Sequence, residues 1–219
     1  MVIGPSMRNL IDFKHIRRVL CLGAHSDDIE IGCGGTLSRL MRENEHIKCS
    51  WFVACGVGVR GDEARASAEA FNTLERHQLH LTVGEFRDAH LPAVWAETKR
   101  AVSALRDFDP DLIFTHRLDD RHQDHRVIAE LTAQTFRDHP VLGYEIPKYD
   151  GDLGQPNVFV PLSPEDFDAK RHALRPFVSQ QDKQWFDDDT FAGLARLRGL
   201  ECNAPSRLAE GFYARKLVA

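Results

Sequence analysis

Four short apolar runs, at 19–23, 47–54, 79–83 and 112–115, are each followed by a stretch whose pattern is helical. The first run, Val19-Leu20-Cys21-Leu22-Gly23, is apolar throughout, as a strand buried on both faces requires. The second has the alternation and β-branched content of a strand, and Gly56 and Gly58 mark the loop after it. Between the strands, 29–44 repeats Ile31, Leu37, Leu40 and Met41 at helical spacing, with Gly32, Gly34 and Gly35 near its start. Residues 62–76 are rich in Ala and Glu and read as a second helix. A third, 94–108, follows Pro92 and stops at Asp109-Pro110, because the residue before proline is pushed out of the α region. A fourth, 127–136, follows the last strand. Strand and helix alternating four times predict an α/β architecture with a parallel sheet covered on both faces.

The last third is less regular. Tyr144-Glu145-Ile146-Pro147 and Val158-Phe159-Val160-Pro161 have the look of short edge strands, where proline is tolerated. Ser163 with Asp166 suits a helix start, leading into 167–178, and 185–200 is a further helix. No repeat, low-complexity tract or linker divides the chain, so a single domain over 1–219 is expected. A chain of this length buries a sizeable core without staples.

Composition narrows the function. The net charge is -5, with bases scattered among acids as in Arg60-Gly61-Asp62-Glu63-Ala64-Arg65. That pattern suits a solvated face and argues against a nucleic-acid-binding stripe. The five cysteines form no CxxC pair and are odd in number, which suits reduced, structural thiols in a cytoplasmic protein. Cys33 alone lies near a candidate site. Residues 1–14 hold no apolar leader, and no apolar run approaches the ~20 residues that span a bilayer. The expectation is a soluble, cytoplasmic protein with neither membrane nor nucleic acid as partner.

In open α/β sheets, ligands bind beyond the carboxyl ends of the strands. Two polar clusters occupy such places: Ala24-His25-Ser26-Asp27-Asp28 after the first strand, and His122-Gln123-Asp124-His125 after the fourth. His and Asp are appropriate ligands for Zn²⁺, and three protein ligands plus water is the usual catalytic arrangement. Such a metal lowers the pKa of its water to about 7. A neighbouring carboxylate that is not a ligand can take the proton. Adjacent Asp27 and Asp28 could divide these tasks, since successive side chains leaving a strand point in different directions. Each cluster alone has an ordinary reading. An Asp pair before a helix is commonly a cap, and His15, His46, His77, His80, His139 and His172 read as plain surface residues. The coincidence of both clusters at strand exits favours a site.

The two clusters resemble the signatures of the LmbE-like (PIG-L) family of zinc-dependent N-acetyl-sugar deacetylases. The first is Ala24-His25-Ser26-Asp27-Asp28-Ile29-Glu30-Ile31-Gly32, and the second is Asp120-Arg121-His122-Gln123-Asp124-His125. Weaker echoes are Arg60 with Glu63 before the second helix, Asp88, Tyr144-Glu145-Ile146-Pro147, Lys170 with Ser179-Gln180, and Leu208-Ala209-Glu210-Gly211-Phe212. Ser26 stands where the family usually has proline, and Phe71-Asn72 where a Leu-Gly pair is common. Neither change removes a ligand.

The resemblance implies a Rossmann-like three-layer sandwich with a mostly parallel sheet. It also implies one Zn²⁺ per chain held by His25, Asp28 and His125. Asp27 is then the general base that later passes a proton to the departing amine, and His122 stabilises the oxyanion. Asp124 orients an imidazole through its other ring nitrogen, and Arg60 and Asp88 bind substrate, with Arg65 and Arg121 as weaker candidates. The implied reaction releases acetate and a free amine from a small-molecule N-acetylglucosamine-type sugar or conjugate, nucleotide-linked or not. A homo-oligomer, trimer or hexamer, is familiar in similar proteins. The same ligands could hold Fe²⁺ or Co²⁺.

Two other readings compete. The same metal site could act on another N-acyl amide, such as an acylated antibiotic, a thiol–sugar conjugate or a lipid-linked amino sugar, with the segment from Tyr144 onward deciding. Alternatively, Gly32-Cys33-Gly34-Gly35 could mark a non-catalytic nucleotide-binding module. However, the dinucleotide fingerprint needs its glycines at the strand-to-helix turn. Here His25 to Asp28 fill that turn, and acids there repel a pyrophosphate.

Overall fold

The computed structural model describes residues 13–71 and 78–216. Most of the 1–14 segment and the end of the expected 62–76 helix therefore lie outside the described residues. Five strands are parallel: β1 (Arg18–His25), β2 (Lys48–Cys55), β3 (Gln78–Val83), β4 (Leu112–His116) and β5 (Val141–Tyr144). With β6 (Val158–Pro161) and β7 (Ala209–Ala214) they form one seven-stranded sheet of order β3-β2-β1-β4-β5-β7-β6. β7 alone runs opposite to the other six, pairing antiparallel with β5 and β6. The helices are α1 (Asp28–Glu43), α2 (Val59–Phe71), α3 (Trp95–Ala104), α4 (Gln123–Thr135), α5 (Pro164–Leu174) and α6 (Asp188–Glu201).

Alternate residues of a strand face opposite sides of a sheet, and β1 shows the result. Val19 and Cys21 join Trp51 and Phe114 in a core completed by Leu37 of α1, Phe167 of α5 and Phe191 of α6. Leu20 and Leu22 join Phe52 and Ile113 in a second core with Val102 of α3 and Ile128 and Leu131 of α4. Three layers follow, and β1, paired on both sides, reads as a continuous apolar run. The chain winds outward one way from β1 through β2 and β3, and the other way through β4 and β5. The ends of β1 and β4 thus flank the switch point where such sheets bind ligands.

The last third departs from expectation. The expected edge strand at 144–147 is β5, which ends at Tyr144 and lies inside the sheet. Its neighbour β7 was not anticipated, and it makes the sheet mixed. Ala209-Glu210-Gly211-Phe212-Tyr213-Ala214 lacks β-branched residues, and its glutamate is buried by an ion pair rather than turned to water. The second helix begins at Val59, so Arg60 and Glu63 lie inside its start. The third ends at Ala104 and continues as a 3-10 turn to Phe108. Ser163 and Asp166 do form a capping box at the start of α5.

Helix α1 is broken at Cys33, whose φ/ψ are -145° and 15°. A Cβ on Gly32 would lie 2.3 Å from the Tyr144 ring, so only glycine admits that ring against the helix. Tyr144 is held there because its hydroxyl donates to the Leu22 carbonyl at 2.7 Å. Around the break, side chains meet the Ile31 carbonyl and the Gly35 amide. Lys170 Nζ donates to the Ile31 carbonyl at 2.6 Å, and Glu210 accepts from the Gly35 and Thr36 amides at 3.1 and 2.7 Å. Lys170 and Glu210 pair with each other at 2.7 Å in the interior. One buried ion pair thus satisfies both sides of the interruption.

Candidate metal centre

The exits of β1 and β4 bring both polar clusters together. His25, the last residue of β1, places Nδ1 3.1 Å from His125 Nε2. Asp28 opens α1, with Oδ2 3.4 Å from His25 Nδ1 and Oδ1 3.5 Å from His125 Nε2. For comparison, ligands bonded to zinc at about 2.0–2.1 Å in a tetrahedron stand about 3.3 Å apart.

The protonation of the two imidazoles follows from their outer partners. His125 Nδ1 lies 3.0 Å from Asp120 Oδ2. His25 Nε2 lies 3.0 Å from Asp88 Oδ1 and 3.3 Å from Asp124 Oδ2. A carboxylate only accepts, so each outer nitrogen carries a hydrogen. With an ion bound between them, the two inner nitrogens would present lone pairs to it beside the Asp28 carboxylate. Burial opposes charge on His25, yet Asp124, Asp28 and Asp88 outweigh it and hold its pKa well above the ordinary value. The site draws positive charge, and its donor set suits zinc.

The surrounding side chains are fixed by their own contacts. Burial works to raise the Asp28 carboxyl, but His125 and His116 hold it well below the usual range. Burial and the charge of His116 bring His125 down to about 4, against the pull of Asp28 and Asp120. Asp120 Oδ2 also takes a bond from Lys148 Nζ at 3.1 Å, and Lys148 reaches Asp152 at 2.8 Å. Asp124 accepts from the Ala89 and Leu91 amides at 2.7 and 3.1 Å, pinning the loop after β3 to the start of α4.

Asp27 occupies the capping position of α1, but its side chain caps nothing. Oδ1 accepts from Arg60 Nη2 at 2.8 Å, and Oδ2 is buried with no partner among the described residues. Burial lifts this carboxyl above its ordinary pKa, while Arg60 opposes the shift. His122 stands at the head of α4, its ring 4.8 Å from that of His25 and 4.5 Å from that of His125. Its Nδ1 is buried and unpartnered, and burial together with the charge of His25 lowers its pKa.

Of the expected site residues, His25, Asp27, Asp28, His122, Asp124 and His125 meet at one place. Arg60 and Asp88 meet the same group through Asp27 and His25. Asp88 remains largely exposed, and its bond to His25 lowers its carboxyl to about 2. Arg65 pairs with Asp62 on the surface, and Arg121 faces the 150–152 loop. Sequence reasoning missed His116, at the end of β4. Its Nε2 lies 3.1 Å from Asp28 Oδ2 and 3.0 Å from the Ala24 amide, and its ring stacks on His125. Its place at a strand exit, like that of His25, was the available signal. Asp28, His116 and His125 could themselves hold an ion, as could His25, His122 and His125.

Residues 20–136 match the family model PIG-L, described as GlcNAc-PI de-N-acetylase. An uncharacterized deacetylase of Escherichia coli K12, YaiS, is 33% identical over 174 residues, spanning 74% of this chain and 90% of the relative. Among solved structures, GalB, the 4-carboxy-2-hydroxymuconate hydratase of Pseudomonas putida, superposes with a TM-score of 0.73 at 16% identity, covering 93% of this chain and 98% of that one. The N,N'-diacetylchitobiose deacetylase of Pyrococcus horikoshii gives 0.65 at 20% identity, covering 92% and 85%. At such identities the solved structures share the fold, and GalB carries a different chemistry on it.

Proposed function

The chain belongs to the PIG-L family, and from that premise we propose that it is a metal-dependent deacetylase acting on an N-acetylglucosamine-type sugar or sugar conjugate. The observation that carries this reading is the convergence of His25 Nδ1, His125 Nε2 and the Asp28 carboxylate beside an Asp27 oxygen that has no partner among the described residues. His25, Asp28 and His125 would hold the ion, with zinc the fitting choice. When bound there, such an ion supplies an acidified water and polarises the acetamide carbonyl.

The protein's own groups handle position and protons. Asp27 Oδ2 takes a proton from the attacking water while Arg60 holds Oδ1, which fixes the carboxylate plane and favours its charged form. As the C–N bond breaks, the same carboxyl returns that proton to the amine nitrogen, and acetate departs. His122, whose pKa is lowered, is neutral near pH 7 and can donate one N–H to the oxygen gaining charge. Asp120 and Asp124 keep the imidazoles of His125 and His25 in the required tautomers.

The test is acetate release from N-acetylglucosamine, its conjugates and nucleotide-linked forms by protein stripped with a chelator and then reloaded with zinc. Release that depends on reloading supports the proposal. A reloaded protein that frees no acetate from any N-acetylated sugar would overturn it. An N-acylated antibiotic or thiol–sugar conjugate belongs in the same panel, because the pocket walls rather than the metal donors choose the amide.

A further inference from the structure

Helices α3 and α4 pack over β1 and β4 on their side of the sheet. Beside α4, over β4, β5 and β7, lies a cavity of about 720 Å³, whose lining includes His116 but none of His25, Asp28 and His125. Its apolar wall includes Ala129 and Ala133 of α4, Phe136 just after that helix, and Val141 of β5. A volume of this size lies in the range of small-molecule sites, about 300–1,000 Å³.

Four cations line it: Arg117, Arg137, Arg215 and Lys216. None has a carboxylate within 4.0 Å among the described residues. Arg117 spends its guanidinium on neutral oxygens, the Tyr213 hydroxyl and the Asp119 and Asp152 carbonyls, and lies 5.2 Å over the Tyr213 ring. Lys216 donates to the Arg137 carbonyl. Asp119 and Glu130 also line the cavity, leaving four cations against two acids. A chain with a net charge of -5 thus gathers uncompensated positive charge around one apolar-walled hollow.

We propose that this cavity binds a small organic anion, a carboxylate or phosphate monoester carried on a compact apolar or aromatic body. The anion would meet Arg137 and Arg215 at the rim, and its body would lie against Ala133 and Phe136. Pairing of this face with the same face of a second copy would set like charges together, which opposes that occupant.

The probes are benzoate and phenyl phosphate, with uncharged benzyl alcohol as the comparison, titrated into the protein by calorimetry. At least one anion should saturate, and benzyl alcohol should bind far more weakly. The double variant Arg137→Glu/Arg215→Glu removes only exposed side chains, and Ala133→Phe fills the hollow. Each should weaken anion binding by about tenfold or more, with acetate-releasing activity unchanged. His25→Ala should leave anion binding intact, which separates this cavity from the metal centre. Absence of saturation, equal binding by the double variant, or loss of binding with His25→Ala would each overturn the proposal. So would sedimentation showing self-association of the wild type that the double variant abolishes, since the occupant would then be an acidic face of a second copy.

Discussion

His116 stacks on His125 with ring centroids 3.8 Å apart and planes 18° from parallel, while its Nε2 faces the Asp28 carboxylate. A buried imidazole therefore braces two of the three proposed metal donors at once.

Replacing His116 should loosen the ion without touching the proton chemistry. His116→Gln is expected to lower metal affinity by about 10- to 100-fold, and saturating metal should restore most of the turnover. Competition with a chelator measures the first, and assay at high zinc the second. Unchanged affinity would show that the stacking is only packing.

Asp27 and Arg60 should separate by pH. Asp27→Asn keeps the donors but removes the base, so turnover should fall by about 10²- to 10⁴-fold with metal content near normal. Arg60 lowers the Asp27 pKa, so Arg60→Ala should raise it. Activity that needs the ionised carboxylate would then fail at higher pH than in the wild type. An acidic limb that stays in place would contradict the assignment of Asp27 as base.

Glu30 gives a stability signature that is independent of turnover. Burial lifts its carboxyl from the ordinary 4.5 to about 8, and it accepts a hydrogen bond from Ser67. Below 4.5 the folded and unfolded states both hold the proton, and Glu30 has no pH-dependent effect. As pH rises from 4.5 to about 8, the unfolded chain releases it while the folded chain keeps it, so stability falls. In the metal-free protein, Glu30→Gln should therefore gain stability over wild type at pH 8, on the order of a few kcal/mol, and little near pH 4.5. Urea unfolding at the two pH values decides, and an equal effect at both would refute it.

The ion pair across the α1 break should be costly to split. Lys170→Met leaves the Glu210 carboxylate buried without its cation and the Ile31 carbonyl without its donor. A loss of about 3–5 kcal/mol is expected, read from denaturant midpoints. A loss below 1 kcal/mol would mean that water replaces the ammonium.

The parallel half of the fold and the meeting of the two polar clusters were legible because each rests on local signals. Uniform apolar runs mark β1 and β4, and His25, Asp27, Asp28, His122, Asp124 and His125 sit where strands end. What escaped depends on distant partners. Strand β7 hides because Glu210 is neutralised by Lys170, 40 residues earlier, so its pattern does not look buried. Arg60 and Asp88 are named in sequence only through the resemblance, as substrate-binding residues, and only the fold shows their partners to be Asp27 and His25. His116 carries no motif spacing, and its place is set by the register of β4 against β1 and β5.

The insertion of β7 between β5 and β6 sets the order in which the protein can be finished during synthesis. Both of its neighbours leave the ribosome first, and they must wait with a gap between them. Glu210 arrives with that strand, so the α1 segment that follows Asp27 lacks its anchoring carboxylate until residue 210 is made. Assembly of the candidate metal centre is in this sense timed by β7, and a nascent chain that stops before residue 209 carries every proposed ligand on an incomplete support.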